Sequence, residues 1–210
     1  GSPTDVLQRK GEDGINHSPL IGWAYDGNPI YGSHGYTNKV DDSEGITQYF
    51  SGYVLRKDRS DIIAGGGDEV GTLPPPTGAY PLGIFVQDYE FDVDKATLRK
   101  YLLNSEVPDR IKEESGKFLS LKEQTLIAEQ ILDENNGMVC NTPEFPKELY
   151  PDGVYCYFAS VDTDGSLQFP YIVGKTFKNR PISQNILISD VEQLQPIVMN
   201  DKIFDPNMWY

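Results

Sequence analysis

The side chains able to do acid–base or nucleophilic chemistry are few in this sequence, and they gather near its start. His17 and His34 are its two histidines, and Asp26 and Ser33 lie in the same stretch. A histidine, a carboxylate and a hydroxyl are the parts of a hydrolytic triad, which is assembled in space and not by chain order. The local setting argues against it. There is no Gly-x-Ser-x-Gly elbow, and Gly32-Ser33-His34-Gly35 lacks the strand–turn–helix that such a nucleophile requires. Turn residues and hydrogen-bonded structural histidines are the better reading. Cys140 and Cys156 are the two cysteines, too few for a disulfide framework or a tetrahedral thiolate site. They sit in Met138-Val139-Cys140 and Tyr155-Cys156-Tyr157, segments able to pair as two strands. A disulfide between Cys140 and Cys156, a pair of buried free thiols, and a share in a metal site are all open on this reading.

Two loops invite ligand readings and resist them. Asp162-Thr163-Asp164-Gly165-Ser166 resembles the start of a calcium loop, but the twelfth position, where a bidentate Glu is needed, is Val173. It reads as a hairpin turn. Gly65-Gly66-Gly67 runs into Asp68 and Glu69 and then into Pro74-Pro75-Pro76, with no strand before it and no helix after it to cradle a phosphate. It reads as part of a long loop over 57–79, a length that is usually functional, mobile or at a subunit contact. No metal ligand set, cofactor site or catalytic residue is assigned.

Composition narrows the partners. Eighteen basic residues stand against 32 acidic ones, a net charge of −14 with a pI near 4.4. Such a surface repels phosphate backbones and anionic membranes, so neither nucleic acid nor a membrane is expected as partner. No apolar run reaches the roughly 18 residues of a membrane span, and Gly1-Ser2-Pro3 does not open like a signal peptide. That opening reads as a cloning scar on a fragment of a longer chain. Eleven per cent aromatic residues place the 210-residue chain among folded proteins with a core of their own.

The elements that must position these residues are mostly strands. Ile21–Tyr25 and Asn28–Tyr31 flank Asp26-Gly27, a strong hairpin signal whose expected turn is type I′. Pro29 cannot donate to a ladder, so its strand should lie at an edge or start late. Strands are also expected over 47–50, 53–56, 154–161 and 167–173, the third of these buried and central. Two helices are expected, one over about 94–103 with Asp94 as N-cap, the other over about 121–134 behind the capping box Ser120-Leu121-Lys122-Glu123. The expected fold class is α+β, mostly antiparallel sheet with these two helices inserted. Three segments are expected: a lead-in over 1–14, a domain over 15–175, and an extension over 176–210 that packs on the domain or on a neighbour.

Particular stretches carry a family likeness. Ile21-Gly22-Trp23-Ala24-Tyr25-Asp26-Gly27-Asn28-Pro29-Ile30-Tyr31-Gly32 resembles the Ile-Gly-x-Ala-x-Asp-Gly-x-Pro-Ile-Tyr-Gly block that opens the YHYH domain. Leu132–Gly137, Gly153–Phe158 and Phe169-Pro170-Tyr171-Ile172-Val173-Gly174 resemble its closing part. The segment that gives the family its name is Tyr155-Cys156-Tyr157-Phe158 here, so both of its histidines are replaced. The family's Cys-Asn-Gly-His becomes Asn135-Asn136-Gly137-Met138. A metal or catalytic site built on those histidines would be absent or heavily changed, and no tightly bound transition metal is expected.

With Asn135-Asn136-Gly137 and Cys140-Asn141-Thr142-Pro143-Glu144-Phe145-Pro146 ahead of that strand, the chain is most similar to YHYH domains in tail and baseplate proteins of marine cyanophage myoviruses. That resemblance implies a non-enzymatic structural or interaction domain located in the virion, with other virion proteins as partners and homo-oligomers as an option. The alternative is an extracellular module that binds carbohydrate on a host surface. Its candidate binding residues are Trp23, Tyr25, Asp26, Tyr31, His34 and Tyr36, with Tyr49 as a further stacking ring. A hydrolase or metalloenzyme using His17, Asp26 and His34 is the third reading. The apolar end Met208-Trp209-Tyr210 is expected to pack on a following domain or a second copy.

Overall fold

Asp26-Gly27 does turn a hairpin. Strand β1 (Leu20–Trp23) pairs antiparallel with β2 (Pro29–Tyr31), placing Leu20 opposite Tyr31 and Trp23 opposite Pro29. The structure is a computed structural model that describes residues 7–8, 11–60, 73–97, 128–162, 165–180, 198–199 and 202–203. Gly1 and Ser2 lie outside them, as do the glycine run and the capping box at 120–123.

The turn is not type I′. The Gly27 amide donates to the Ala24 carbonyl at 2.9 Å, and the Ala24 amide donates to Asn28 at 2.8 Å. Gly27 has φ +86°, whereas Asp26 is not in the positive-φ region. This is the three-residue loop that ends in one left-handed residue, so only one position demands glycine. A Cβ on Gly27 would meet nothing within 4 Å. The whole cost of Gly27→Val is therefore backbone strain, expected to be about 1–2 kcal/mol in chemical denaturation, and Gly27→Asn should lose clearly less.

Strand β2 does not stay at an edge. Its other side pairs in parallel with β8 (Val154–Phe158), Ile30 facing Tyr157 and Tyr31 facing Phe158. Pro29 is tolerated because it opens the strand. On the far side β8 pairs antiparallel with β7 (Gly137–Cys140), completing a four-stranded sheet in the order β1-β2-β8-β7. Strand β8 is thus buried and central. Three two-stranded ribbons accompany this sheet: β3 (His34–Asn38) with β4 (Asp41–Gln48), β5 (Tyr53–Leu55) with β6 (Tyr89–Phe91), and β9 (Val198–Met199) with β10 (Lys202–Ile203).

The α+β expectation with two inserted helices is corrected: the described residues are mostly sheet. Their helical backbone amounts to a 3-10 turn at Val86–Asp88, a short helical stretch over 93–97, and helical positions at 7–8, 60 and 128. The helix expected from Lys95 begins two residues earlier. Its cap is Asp92 and not Asp94, since Asp92 Oδ1 accepts from the Lys95 amide at 2.9 Å. The helix expected over 121–134 does not reach 134. Helical backbone ends at Ala128, and Ile131 forms a parallel bridge with Phe50. Residues 98–127 lie outside the described set. The strand expected over 167–173 reduces to one bridge, Val161 with Leu167, followed by turns. The acidic turn before it holds, closed by the Gly165 amide on the Asp162 carbonyl at 2.9 Å.

Contacts divide the chain into Gly1–Arg180 and Pro181–Tyr210. The second unit contains the β9–β10 ribbon, and Met208-Trp209-Tyr210 lies outside the described residues. In the first unit the main core is aromatic and sulfur-rich: Tyr31, Tyr49, Leu132, Met138, Cys140, Cys156 and Phe158 are all buried. A second cluster joins Phe50, Val54, Ala96 and Ile131, and a third joins Leu7, Ala159 and Val161. Leu7 and Glu12 therefore belong to the domain's packing, although the sequence places them in a lead-in.

Candidate functional site

The sheet brings together the two blocks that carry the family likeness, and the strand pleat sorts their side chains onto two faces. Cys156 and Phe158 point to the core side of β8, and Tyr155 and Tyr157 to the other.

The tyrosine face is a hydrogen-bonded lattice. Tyr157 donates its hydroxyl to Asp26 Oδ2 at 2.7 Å, and the Lys178 amide donates to the Tyr157 hydroxyl at 2.7 Å. Asp26 also accepts from Asn28 Nδ2 at 2.8 Å and from the Asn179 amide at 3.1 Å. Burial would raise the Asp26 carboxyl, but these bonds hold it below the ordinary carboxylate range. Burial and the Asp26 carboxylate together push the Tyr157 phenol up to about 12. Two residues along the strand, Tyr155 donates to Asp133 Oδ1 at 2.8 Å, and the two rings meet edge to face at 5.3 Å. Gly137 makes room for this, because a Cβ there would lie 2.5 Å from the Tyr155 hydroxyl. The Asp26 carboxylate and both tyrosine hydroxyls thus have structural partners. Asp26 is a strut between the hairpin, β8 and residues 178–179.

The opposite face packs into the core. Cys156 and Phe158 are fully buried. Phe158 meets Tyr49 edge-on at 4.8 Å and stacks on Tyr31 at 5.9 Å. Tyr31 donates its hydroxyl to Glu144 Oε2 at 2.9 Å and lies 2.8 Å from Thr142 Oγ1. His17 packs between Tyr31 and Tyr36, with ring centroids at 5.1 and 4.9 Å. Its Nδ1 bonds the Ser18 carbonyl at 2.8 Å, and its Nε2 is buried without a hydrogen-bond partner. Cys140 and Cys156 are both buried and free. The register sets Cys140 opposite Val154 and Cys156 opposite Met138, so the two thiols are diagonal neighbours. A hydrogen bond to Cys140 and burial both push the Cys156 thiol well above its usual range, which makes it a packing group and a poor nucleophile.

His34 lies elsewhere, over a cavity of about 480 Å³ shared with Ser33, Gln48 and Asp162. Its Nδ1 is 2.8 Å from Glu12 Oε1 and 3.0 Å from Ser33 Oγ. Ser33 donates its hydroxyl to the same Glu12 oxygen at 2.5 Å, and its amide donates to Glu12 at 3.1 Å. In a working triad the hydroxyl and the carboxylate address opposite ring nitrogens. Here both address Nδ1, so the histidine cannot relay a proton from Ser33 to Glu12. Glu12 was not singled out by sequence, since a carboxylate 21 residues before its partner leaves no local spacing signal. The side chains of His17, Asp26 and His34 have different partners: the two histidines are joined through Ser18, which bonds the His17 ring and the His34 amide, whereas Asp26 belongs to the tyrosine lattice.

Of the candidate binding residues, Trp23 and Tyr25 are exposed, at 47% and 74%. Tyr31 and Tyr49 are core, Tyr36 is half-buried against His17, and His34 and Asp26 are tied as described. Among the described residues, no group of three or more His, Cys, Asp or Glu side chains is placed to hold a metal ion. No helix among them is long and apolar enough to cross a membrane.

A protein of short strands, with its histidines bound into structural networks, is the class these observations define. The family model described as YHYH protein matches residues 1–104, which supports membership of that family for this N-terminal part of the chain. The match takes in the hairpin block and stops before the Tyr155–Phe158 strand that pairs with it. No curated protein and no solved structure matches the chain.

The buried ionisable groups set an acid limit on stability. Burial lowers the pKa of His17 from 6.5 despite its bond to the Ser18 carbonyl and the nearby Glu144 charge. A base depressed in the folded state loses its contribution as pH falls below the unfolded value. Burial would raise Glu12, but its bonds to His34 and Ser33 hold it below 4.5. The Arg59 guanidinium holds Asp88 at about 2 against burial. Depressed carboxyls stabilise above their unfolded pKa and lose that contribution as pH falls through the folded one. The urea midpoint is therefore expected to fall below about pH 6.5 and more steeply below 4.5. Glu12→Gln should flatten the lower limb, and an unchanged slope would contradict the role given to Glu12.

Proposed function

We propose that the protein is a non-enzymatic interaction domain of a virion, part of a phage tail or baseplate, that works by packing against neighbouring virion proteins. The observation that carries this reading is an exposed aromatic surface on the hairpin side of the sheet. Trp23 is 47% exposed and meets the buried Phe145 edge-on at 6.3 Å, Phe145 supports the 36%-exposed Tyr150 at 5.1 Å, and Leu149 next in the chain is 65% exposed. Exposed large apolar side chains grouped over a buried support mark contact surfaces, and Trp and Tyr are the residues most often found to anchor them.

The chemistry of the site supports the same reading. The positions of the family's paired histidines carry Cys156 and Phe158 in the core. Ser33 and His34 are locked to one oxygen of Glu12. The sequence likeness to tail and baseplate domains supplies the virion setting, and the acidic surface favours protein partners over nucleic acid. Hydroxyl-radical footprinting of intact particles beside the isolated protein tests the surface. Trp23 and Tyr150 should be modified in the isolated protein and protected in particles. Equal modification in both would contradict docking through this face.

A further inference from the structure

The two edges of the main sheet are finished differently. At the β7 edge the Asp133 amide donates to the Gly137 carbonyl at 2.9 Å, and the Gly137 amide donates to Asp133 Oδ1 at 3.1 Å. The Asn141 amide donates to the Lys39 carbonyl at 2.7 Å, so Val139 lies between two closed positions. The β1 edge has no such cover among the described residues. The Ala24 amide donates to Asn28 across the hairpin, and antiparallel ladders alternate, so Gly22 faces Ile30 while the Trp23 amide and carbonyl point away from β2. No described residue bonds either group.

Open edges recruit further strands, and proteins ordinarily guard them with lysine, proline or other charges. Here the six residues Leu20–Tyr25 carry neither charge nor proline, in a chain that is 24% charged. The irregularity between Leu20 and Gly22 lies at the start of the strand and leaves Trp23 in regular pairing. A second copy of the chain complements this edge with itself. Antiparallel pairing about a two-fold axis at Trp23 sets the amide of each Trp23 on the carbonyl of the other, and Ile21 of each copy comes opposite Tyr25 of the other. Two chains of net charge −14 repel, but in this register Asp26 comes opposite Leu20 and no carboxylate meets another. Trp23 stands on the Phe145 side of the sheet, so the axis brings two indole rings together there, a stabilising kind of cross-strand pair.

We propose that two copies of this chain pair antiparallel through β1, with Trp23 on the two-fold axis, and so join their sheets into one. The pairing rests on the reading of the Trp23 surface as a contact surface, and it names a second copy as the neighbour there. So short a contact buries far less than the roughly 1,200–2,000 Å² of a stable interface, so the pair forms where copies are held close together, as in an assembled particle. At micromolar concentration the isolated chain stays monomeric, with Trp23 open to modification.

The test is a concentration series of the whole protein, read by sedimentation equilibrium and by NMR measurement of amide exchange with water. For a contact of this size the expected Kd is about 1 mM, so about half of the chains are paired at about 1 mM and about 2% at about 10 μM. Over that range the Trp23 amide should exchange about twofold more slowly, while the Val139 amide at the other edge keeps its rate. Trp23→Lys sets two like charges on the axis and should stay monomeric throughout, whereas Val139→Lys should pair like the parent. Melting curves like that of the parent show that both variants fold, and the Trp23 amide of the parent reports pairing without any variant. A chain still monomeric at the top of the series, pairing retained in Trp23→Lys, or pairing that leaves the Trp23 amide unprotected would each overturn the proposal. Monomers in solution with Trp23 protected in particles would exclude the second copy and keep the docking reading. Pairing in solution with Trp23 unprotected in particles would do the reverse.

Discussion

Arg59→Ala is expected to lower the melting temperature by about 10 °C or more. The Arg59 and Asp88 side chains are both fully buried, joined by two bonds of 2.6 and 2.9 Å. Arg59 also donates to the carbonyls of Pro74, Tyr80 and Pro81 at 2.8, 3.0 and 2.9 Å, and its guanidinium lies 4.9 Å from the Phe85 ring centre. Asp88 in turn accepts from the amides of Gly83 and Phe85. One planar cation thus ties together both described limbs of the long loop. Its removal strands a buried carboxylate and three carbonyls. Arg59→Lys should recover little, because an ammonium cannot reproduce the bidentate fork. A melting temperature within a degree or two of the parent for both variants would show that these limbs are not held as described.

Phe158→Ala is expected to cost about 3–5 kcal/mol, the range for removing a fully buried phenylalanine. Tyr49 and Tyr31 flank the Phe158 ring, and β8 is held on both sides by other strands, so the core cannot readily collapse around the gap. Trp23→Ala, at an exposed position, should change stability by well under that amount. The contrast matters for function. Phe158 is fully buried, and a large loss there identifies it as core. A loss below about 1 kcal/mol would mean that the inner face of β8 is not packed, and the surface reading of this strand would have to be reconsidered.

Much of this architecture was legible in the residues. Asp26-Gly27 between aromatic runs marked the hairpin, and the apolar run around Cys156 marked a central strand. The pairing of Met138–Cys140 with Tyr155–Tyr157 was open to sequence reasoning because both segments alternate. The type of the hairpin turn was not legible, since a loop with one or with two left-handed residues accepts the same Asp-Gly pair. Strand β4 includes Asp41, Glu44 and Gly45, a polar string without β propensity: β3 pairs with Asp41 and with Ile46–Gln48, the register is irregular between them, and Gly45 has φ +84°. The helix expected up to 134 failed at its end because Phe50 captures Ile131 in a bridge, a tertiary contact no local period contains.

The networks at the site were hidden for the same reason. Glu12 with His34, Arg59 with Asp88, and Tyr157 with Asp26 are partners separated by 22, 29 and 131 residues, so only the fold reveals them.

The central claim is that this domain is a component of assembled particles, and quantitative peptide mass spectrometry of purified virions tests it most directly. The expected result is recovery of peptides from the described core, such as those spanning Tyr155–Phe158, in fixed ratio to known tail or baseplate proteins through successive gradient purifications. Recovery of these peptides from infected-cell lysate alone, with none in purified particles, would contradict the account.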